Sequence, residues 1–383
     1  MLGVALMGCV DAIAASPVPP PEIRAILAHG PWPIPRTRDP SNRVSGKPEA
    51  IDFGERLFFD RRLSANGAVS CSFCHLPERN WTDGEPRARA LALTDRNAPS
   101  LANVRYQRWF GWDGANDSLW SQSIRPVLDR REFGASAGHV GRLMRENRDL
   151  ACRYAKVFGR PASAENDERV LIDTGKAIAA FLETVVTGRT AFDEFRDALA
   201  RGDEQAMARY PQSARRGLAI FVGKGACDLC HTGPAFTDGD FHDDAVPVAL
   251  DHDRIDPGRR GGIEKLLASP FDLLGAYNDD PVLASAAGTR GVADGSDHFG
   301  QFKTPSLRKL GQTAPYMHNG SLETLRDVMA HYSRTDRVHP DGKRTLKALH
   351  LSGGETEDLL AFLQTLQDSG PSYQRRDFPE DCR

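Results

Sequence analysis

The sequence predicts a mainly α-helical protein made of two related halves, and three observations carry that reading. Two CxxCH motifs occur, "CSFCH" at 71–75 and "CDLCH" at 227–231. The stretch "NAPSLANVRYQRWFGWDG" at 97–114 aligns with "KTPSLRKLGQTAPYMHNG" at 303–320, with Pro99 over Pro305 and Gly114 over Gly320. Apolar residues recur at helical spacing in "EAIDFGERLFFDRRLS" and "SARRGLAIFVGKG" before the motifs, and in "DERVLIDTGKAIAAFLETVV" and "ETEDLLAFLQTLQD" after them. Strand-like alternation is scarce throughout.

Along the chain, the first segment is an apolar run ending in "AIAAS", which reads as an export signal over 1–20, although its start lacks a positive charge. The overlapping "LMGC" at 6–9 reads alternatively as a lipoprotein signal that places a lipid on Cys9. Either signal sends the chain to the periplasm. No later stretch supplies the roughly 20 continuous apolar residues needed for a transmembrane span in the mature chain. A Pro-rich, extended lead-in follows, to about residue 40. The first helical domain is expected over 21–205, the second over 206–371, and a polar tail over 372–383. Gly/Pro/Asp-rich passages such as "FHDDAVPVALDHDRIDPGRRGG" read as loops between helices. A net charge of −3 gives no broad basic surface, so the composition offers no support for a nucleic-acid partner.

Each CxxCH motif is suited to one covalent haem. Cys71 and Cys74, and again Cys227 and Cys230, would form thioethers, while His75 and His231 approach the iron from the proximal side. A zinc site would need further ligands and lacks zinc-finger spacing. A redox CxxC pair would leave both adjacent histidines unexplained. Two c-type haems are therefore the expected cofactors, each filling the apolar face that short helices otherwise leave exposed. With Cys9 removed in a signal, Cys152 and Cys382 remain, and sequence alone does not show whether they pair.

Beyond the attachment motifs, "RNAPSL", "GWDG", "PVLDRREFG" and "TAPYMHNGSLETL" make residues 50–368 resemble the bacterial di-haem cytochrome c peroxidase and MauG family. The resemblance implies two cytochrome c-like domains around an interdomain calcium ion, with the first haem meeting hydrogen peroxide and the second storing or relaying electrons. It carries over Gln122, Pro126 and Glu132 as residues of the first haem's pocket. Cleaving the O–O bond requires moving a proton from one peroxide oxygen to the other, work suited to a carboxylate such as Glu132. Charge pattern alone reads Glu132 as a solvated surface residue after Arg130 and Arg131. The resemblance also places Trp112 between the haems as an electron relay, and Asn97 with the backbone oxygens of Thr313 and Pro315 on calcium. Hard oxygen donors of this kind suit that ion.

Two departures shape the expected activity. Some family members place a distal histidine after the first CxxCH, whereas "LPERNWTDGEPRARALAL" contains none, so the first haem is expected to be open to peroxide. In "MAHYSR", Met329 and Tyr332 both fit one helix face, and spacing does not choose between them. Alignment to the family puts Tyr332 at the second haem's axial position, where MauG also has tyrosine; Met317 and His318 remain further candidates. An oxygen ligand stabilises oxidised iron, whereas a thioether favours reduced iron. The closer likeness is thus to the MauG branch, which oxidises a residue of a protein substrate through a high-valent di-haem state. The alternatives are a cytochrome c peroxidase drawing electrons from a small redox protein, a cytochrome c or cupredoxin, and a non-enzymatic electron-transfer protein. Gly225 stands where MauG has a tryptophan before its second motif, which leaves the substrate open.

Overall fold

This computed structural model describes residues 21–250, 253–293, 296–338, 344–368, 370, 373–376 and 382; the expected signal segment and Cys9 lie outside them. Among the described residues, α-helices dominate, and β structure is limited to two-residue and three-residue strands in two small antiparallel pairs and to isolated bridges. Among the described residues, no helix is long and apolar enough to cross a membrane.

The two halves repeat one helix pair. Pro48–Phe58 starts with proline in its first turn, where a missing N–H costs nothing, and buries Ala50, Phe53, Gly54, Leu57 and Phe58 along one face. Gln212–Val222 does the same with Ala214, Gly217, Leu218 and Phe221. Each crosses a partner helix at a glycine. A Cβ on Gly54 would lie 1.9 Å from the Ala177 carbonyl oxygen in Asp167–Leu182, and one on Gly217 would lie 1.9 Å from that of Asp358 in Gly353–Gln364. Beside each crossing an aromatic pair meets, Phe58 with Phe181 and Phe221 with Phe362, at ring-centroid distances of 5.4 and 5.0 Å. Gly54→Ala and Gly217→Ala should each lower stability by about 1–3 kcal/mol, the usual cost of overpacking a close contact. Thermal or denaturant unfolding of the full chain checks this, and a variant as stable as the parent would show that the crossing relaxes freely.

Two apolar cores surround these pairs, but they do not divide the chain at 205/206. Phe192, Phe195 and Tyr210 belong to the second core with Leu218, Phe236 and Phe362, so the expected boundary falls inside the second core. Conversely, Leu273 and Ala286, from the second half of the sequence, join the first core with Phe53 and Phe181. The lead-in is not simply extended. Pro21–Ala28 is a helix, Ile26 packs on the second core, and buried Trp32 donates its indole N–H to the Thr187 carbonyl at 3.0 Å.

The expected polar tail also has a packing role. Tyr373 packs on the first core, Arg376 pairs with Asp52 at 2.7 Å and Glu55 at 3.0 Å, and Cys382 is disulfide-bonded to Cys152. Composition misled here because Tyr373 and Cys382 are each held by the rest of the fold.

The halves meet reciprocally through the repeated glycine turns. Gly114, at φ +62°, leaves no room for a Cβ against Phe241 and Arg259, and Gly320, at φ +63°, none against Pro86. Each turn of one half therefore presses on the other. Backbone bonds from Asn97 N–H to the His318 carbonyl (2.9 Å) and from Lys303 N–H to the Trp112 carbonyl (2.9 Å) complete the junction.

Candidate functional site

Both CxxCH motifs occupy short helical turns, and the following histidine bonds back to the first cysteine, His75 N–H to Cys71 O at 3.1 Å and His231 N–H to Cys227 O at 2.9 Å. Local spacing thus gathers two thiols and one imidazole. The next turn orients the ring. Trp81 and Phe236 adopt left-handed backbone, φ +64° and +53°, and their carbonyls face His75 Nδ1 at 2.9 Å and His231 Nδ1 at 3.2 Å. A carbonyl only accepts, so each Nδ1 carries the hydrogen and each Nε2 presents its lone pair. Burial lowers both imidazoles' pKa and favours the neutral form a metal requires, while it pushes the Cys71, Cys74 and Cys227 thiols up to about 12.

One cavity of about 1440 Å³ is walled by both motifs and runs across the junction. Its size, the paired thiols at either end and the two free Nε2 lone pairs fit two covalently held haems. Gln122, Pro126, Glu132, Trp112, Asn97, Thr313, Pro315, Met317, Met329 and Tyr332 all line it, whereas His318 does not. His318 is buried with its ring stacked on Phe302 at 3.5 Å.

Near the first motif, Leu119–Leu128 is capped by Ser118, whose hydroxyl accepts from Ser121 N–H at 3.1 Å. Pro126 in its last turn removes a helical N–H, and the chain then folds back as Phe133 N–H bonds the Pro126 carbonyl at 3.1 Å. That return carries Glu132 into the cavity, where Arg125 Nη2 holds its Oε1 at 2.8 Å. Glu132 lines the cavity together with Cys71, Cys74 and His75. Arg125 is held firmly protonated, chiefly by Glu132. Gln122 Oε1 accepts from Asn116 Nδ2 at 2.8 Å, and Asn116 Oδ1 accepts from the Ser121 hydroxyl at 3.0 Å. Sequence reasoning did not single out Asn116 or Arg125, although Arg125 immediately precedes the quoted "PVLDRREFG".

Near the second motif, Leu325–Arg334 opens with a reciprocal cap between Thr324 and Asp327. Asp327 is thereby engaged at the helix start, and His331 Nε2 meets the Asp244 carbonyl at 2.8 Å. Met329 and Tyr332 both face the cavity, so the fold keeps both ligand candidates at hand. Burial, then Asp244 and the Cys227 and Cys230 thiols, push the Tyr332 phenol far above its ordinary range. Cys230, Asp238 and His242 bring ligand atoms within 4.8 Å of one another, a grouping missed from sequence. The Asp238 carboxylate, 2.7 Å from His242 Nε2, and Cys230 raise the His242 imidazole to about 10.

At the junction, Trp112 donates its indole N–H to the Asn97 carbonyl at 3.0 Å. Asn97 Nδ2 donates to the Glu85 carbonyl at 2.8 Å, which aims its amide oxygen the other way. Arg96 ties Asp113 at 2.8 Å to Asp256 at 2.7 Å, and Lys265 meets Asp113 at 3.0 Å. Burial lowers the neighbouring Lys303 amine to about 7. This ionic lattice joins residues far apart in sequence and was not legible there. Gly225 is closely packed, since a Cβ would lie 2.8 Å from the Ile220 carbonyl oxygen.

The family described as di-haem cytochrome c peroxidase matches residues 48–204. The methylamine utilization protein MauG of Methylorubrum extorquens is 32% identical over 324 residues, 84% of this chain and 78% of that protein. The cytochrome-c peroxidase IdrP2 of a Pseudomonas species is 32% identical over 332 residues, 84% of this chain and 82% of that one. Among solved structures, a MauG-like protein associated with microbial copper homeostasis superposes with a TM-score of 0.63 at 28% identity, covering 89% of this chain and 96% of that one. The diheme peroxidase BthA of Burkholderia thailandensis gives 0.65 at 25% identity over 84% and 87%.

Proposed function

The chain belongs to the di-haem cytochrome c peroxidase and MauG family and is a di-haem peroxidase, and from that premise we propose that it is a periplasmic enzyme using hydrogen peroxide to oxidise a residue of another protein. The observation that carries the choice of substrate is Tyr332 in the cavity that His231 enters from the second motif. When bound, the two haems would supply redox-active iron for reaction with peroxide and for passing oxidising equivalents on to a substrate. Glu132 accepts a peroxide proton and delivers it to the departing oxygen, while Arg125 keeps the carboxylate in place. Gln122, steadied by Asn116, orients the peroxide, and Pro126 leaves that side of the pocket free of a long side chain. Tyr332 and His231 line the same part of the cavity and would hold the second haem, with Tyr332 offering an oxygen donor, and Trp112 would relay electrons across the junction. The Asn97 side-chain oxygen and the Thr313 and Pro315 carbonyls are of the donor type that suits calcium, and they would hold that ion between the halves.

Export is supported by the Cys152–Cys382 disulfide, a bond that persists in oxidising compartments. A second reading, peroxide reduction with electrons from a small cytochrome or cupredoxin, is favoured by Met329 and Met317 in the same wall. The two are separated by supplying peroxide to the holoenzyme with either a reduced small redox protein or candidate periplasmic proteins. We expect slow oxidation of the redox protein and mass gains on a tryptophan or tyrosine of one protein partner. Rapid turnover of reduced cytochrome with no protein modification would establish the second reading.

A further inference from the structure

The proximal side of the first motif holds an aromatic and acidic cluster that the peroxide chemistry does not use. Trp81, whose carbonyl orients His75, packs its indole edge-on against Tyr373 with ring centroids 5.0 Å apart. Phe58, Phe59 and Phe181 surround the pair. The Tyr373 hydroxyl donates to Glu55, a carboxylate whose side chain is fully buried and which also receives Arg376 N–H at 2.9 Å. Tyr373 itself is half-buried. A buried acceptor on a tyrosine hydroxyl, next to an indole, is the arrangement that lets a phenol lose an electron and a proton together.

We propose that Trp81 and Tyr373 form a one-electron outlet from the first haem site, with Glu55 as the proton acceptor. The inference rests on the peroxidase reading above. In each step Tyr373 loses one electron through Trp81 toward the His75 side, and its phenolic proton passes to the Glu55 carboxylate. The products are a neutral phenoxyl radical and a carboxylic acid. A small one-electron reductant of the ascorbate class then restores Tyr373, and Glu55 returns the proton. Two such cycles, with two further protons from water, supply what reduces one hydrogen peroxide to two waters. The outlet drains oxidising equivalents when the protein substrate is absent. A merely structural fastening of the tail would change stability without changing where oxidation lands.

The test adds peroxide to the holoenzyme without substrate, in the presence of a nitroso spin trap, and maps trap adducts and oxygenated residues by peptide mass spectrometry. The expected result is an adduct on Tyr373. Tyr373→Phe keeps the ring packing, and there oxygenation of Trp81 should rise several-fold because the outlet is closed. In Glu55→Gln the Tyr373 adduct should fall several-fold, since an amide does not take the proton. Peroxide consumed by the parent without a Tyr373 adduct, or equal Trp81 oxygenation in parent and Tyr373→Phe, would overturn the outlet alone. An unchanged adduct in Glu55→Gln would overturn the role of Glu55. Failure of the parent to consume peroxide would overturn the peroxidase reading with it.

Discussion

Replacing Glu132 by glutamine should slow the reaction of the holoenzyme with peroxide by about 10²-fold or more, the usual contribution of a positioned acid–base group. Glutamine keeps the shape of the side chain and offers Arg125 a carbonyl oxygen in place of the carboxylate oxygen now held at 2.8 Å. What it loses is the capacity to take a proton and give it back. Both haems should stay attached, because Cys71, Cys74, Cys227 and Cys230 lie on turns set by their own local backbone. Stopped-flow spectra at saturating peroxide measure the step. The spread of the effect is also informative: Arg125→Leu, which leaves Glu132 in place but frees it, should give a smaller loss. An unchanged rate in Glu132→Gln would remove Glu132 from proton transfer and return it to a solvated role.

The second large effect is expected at Tyr332. In Tyr332→Met the second haem's reduction potential should rise by on the order of 100 mV or more, since axial ligand identity is a principal control of haem potential. Activity should shift from modification of a protein partner toward oxidation of a small redox protein. Burial holds the Tyr332 phenol protonated in the protein alone, so an iron that binds it as phenolate must displace the proton. A thioether carries no such proton. Potentiometry and electron paramagnetic resonance on paired parent and variant samples decide the point. An unchanged potential and spectrum would make Tyr332 a packed cavity residue, and would bring Met329 or Met317 forward as the ligand.

How much was legible in the sequence depends on the range of the interaction. The gathering of two thiols and an imidazole in each CxxCH turn was readable because groups at fixed short spacing need only one turn of backbone to converge. The pairing of Gly114 with Gly320 was readable from the repeat, whereas their left-handed backbone and the contacts that require it emerge only in the structure. Family alignment carried Glu132, Gln122, Pro126, Trp112 and Tyr332 to the cavity wall, and all five line it. Asn116 was not seen, because an amide bonding a neighbouring amide leaves no distinctive pattern.

By itself, then, the chain's sequence determined the helical halves, the two CxxCH turns and the chemistry those turns permit, since each follows from contacts within a few residues. Tertiary structure alone decided four things: the core that claims Phe192, the return of Leu273 to the first half, the partner of His331, and the strap that lays Tyr373 on Trp81. These depend on side chains brought together across more than a hundred residues in most cases, such as the 230-residue loop closed by Cys152 and Cys382. No local spacing encodes such meetings. They are set by which apolar faces find each other once the helices have formed, and the buried ions of Arg96, Asp113 and Asp256 follow that packing because desolvated charges must be paired where it leaves them.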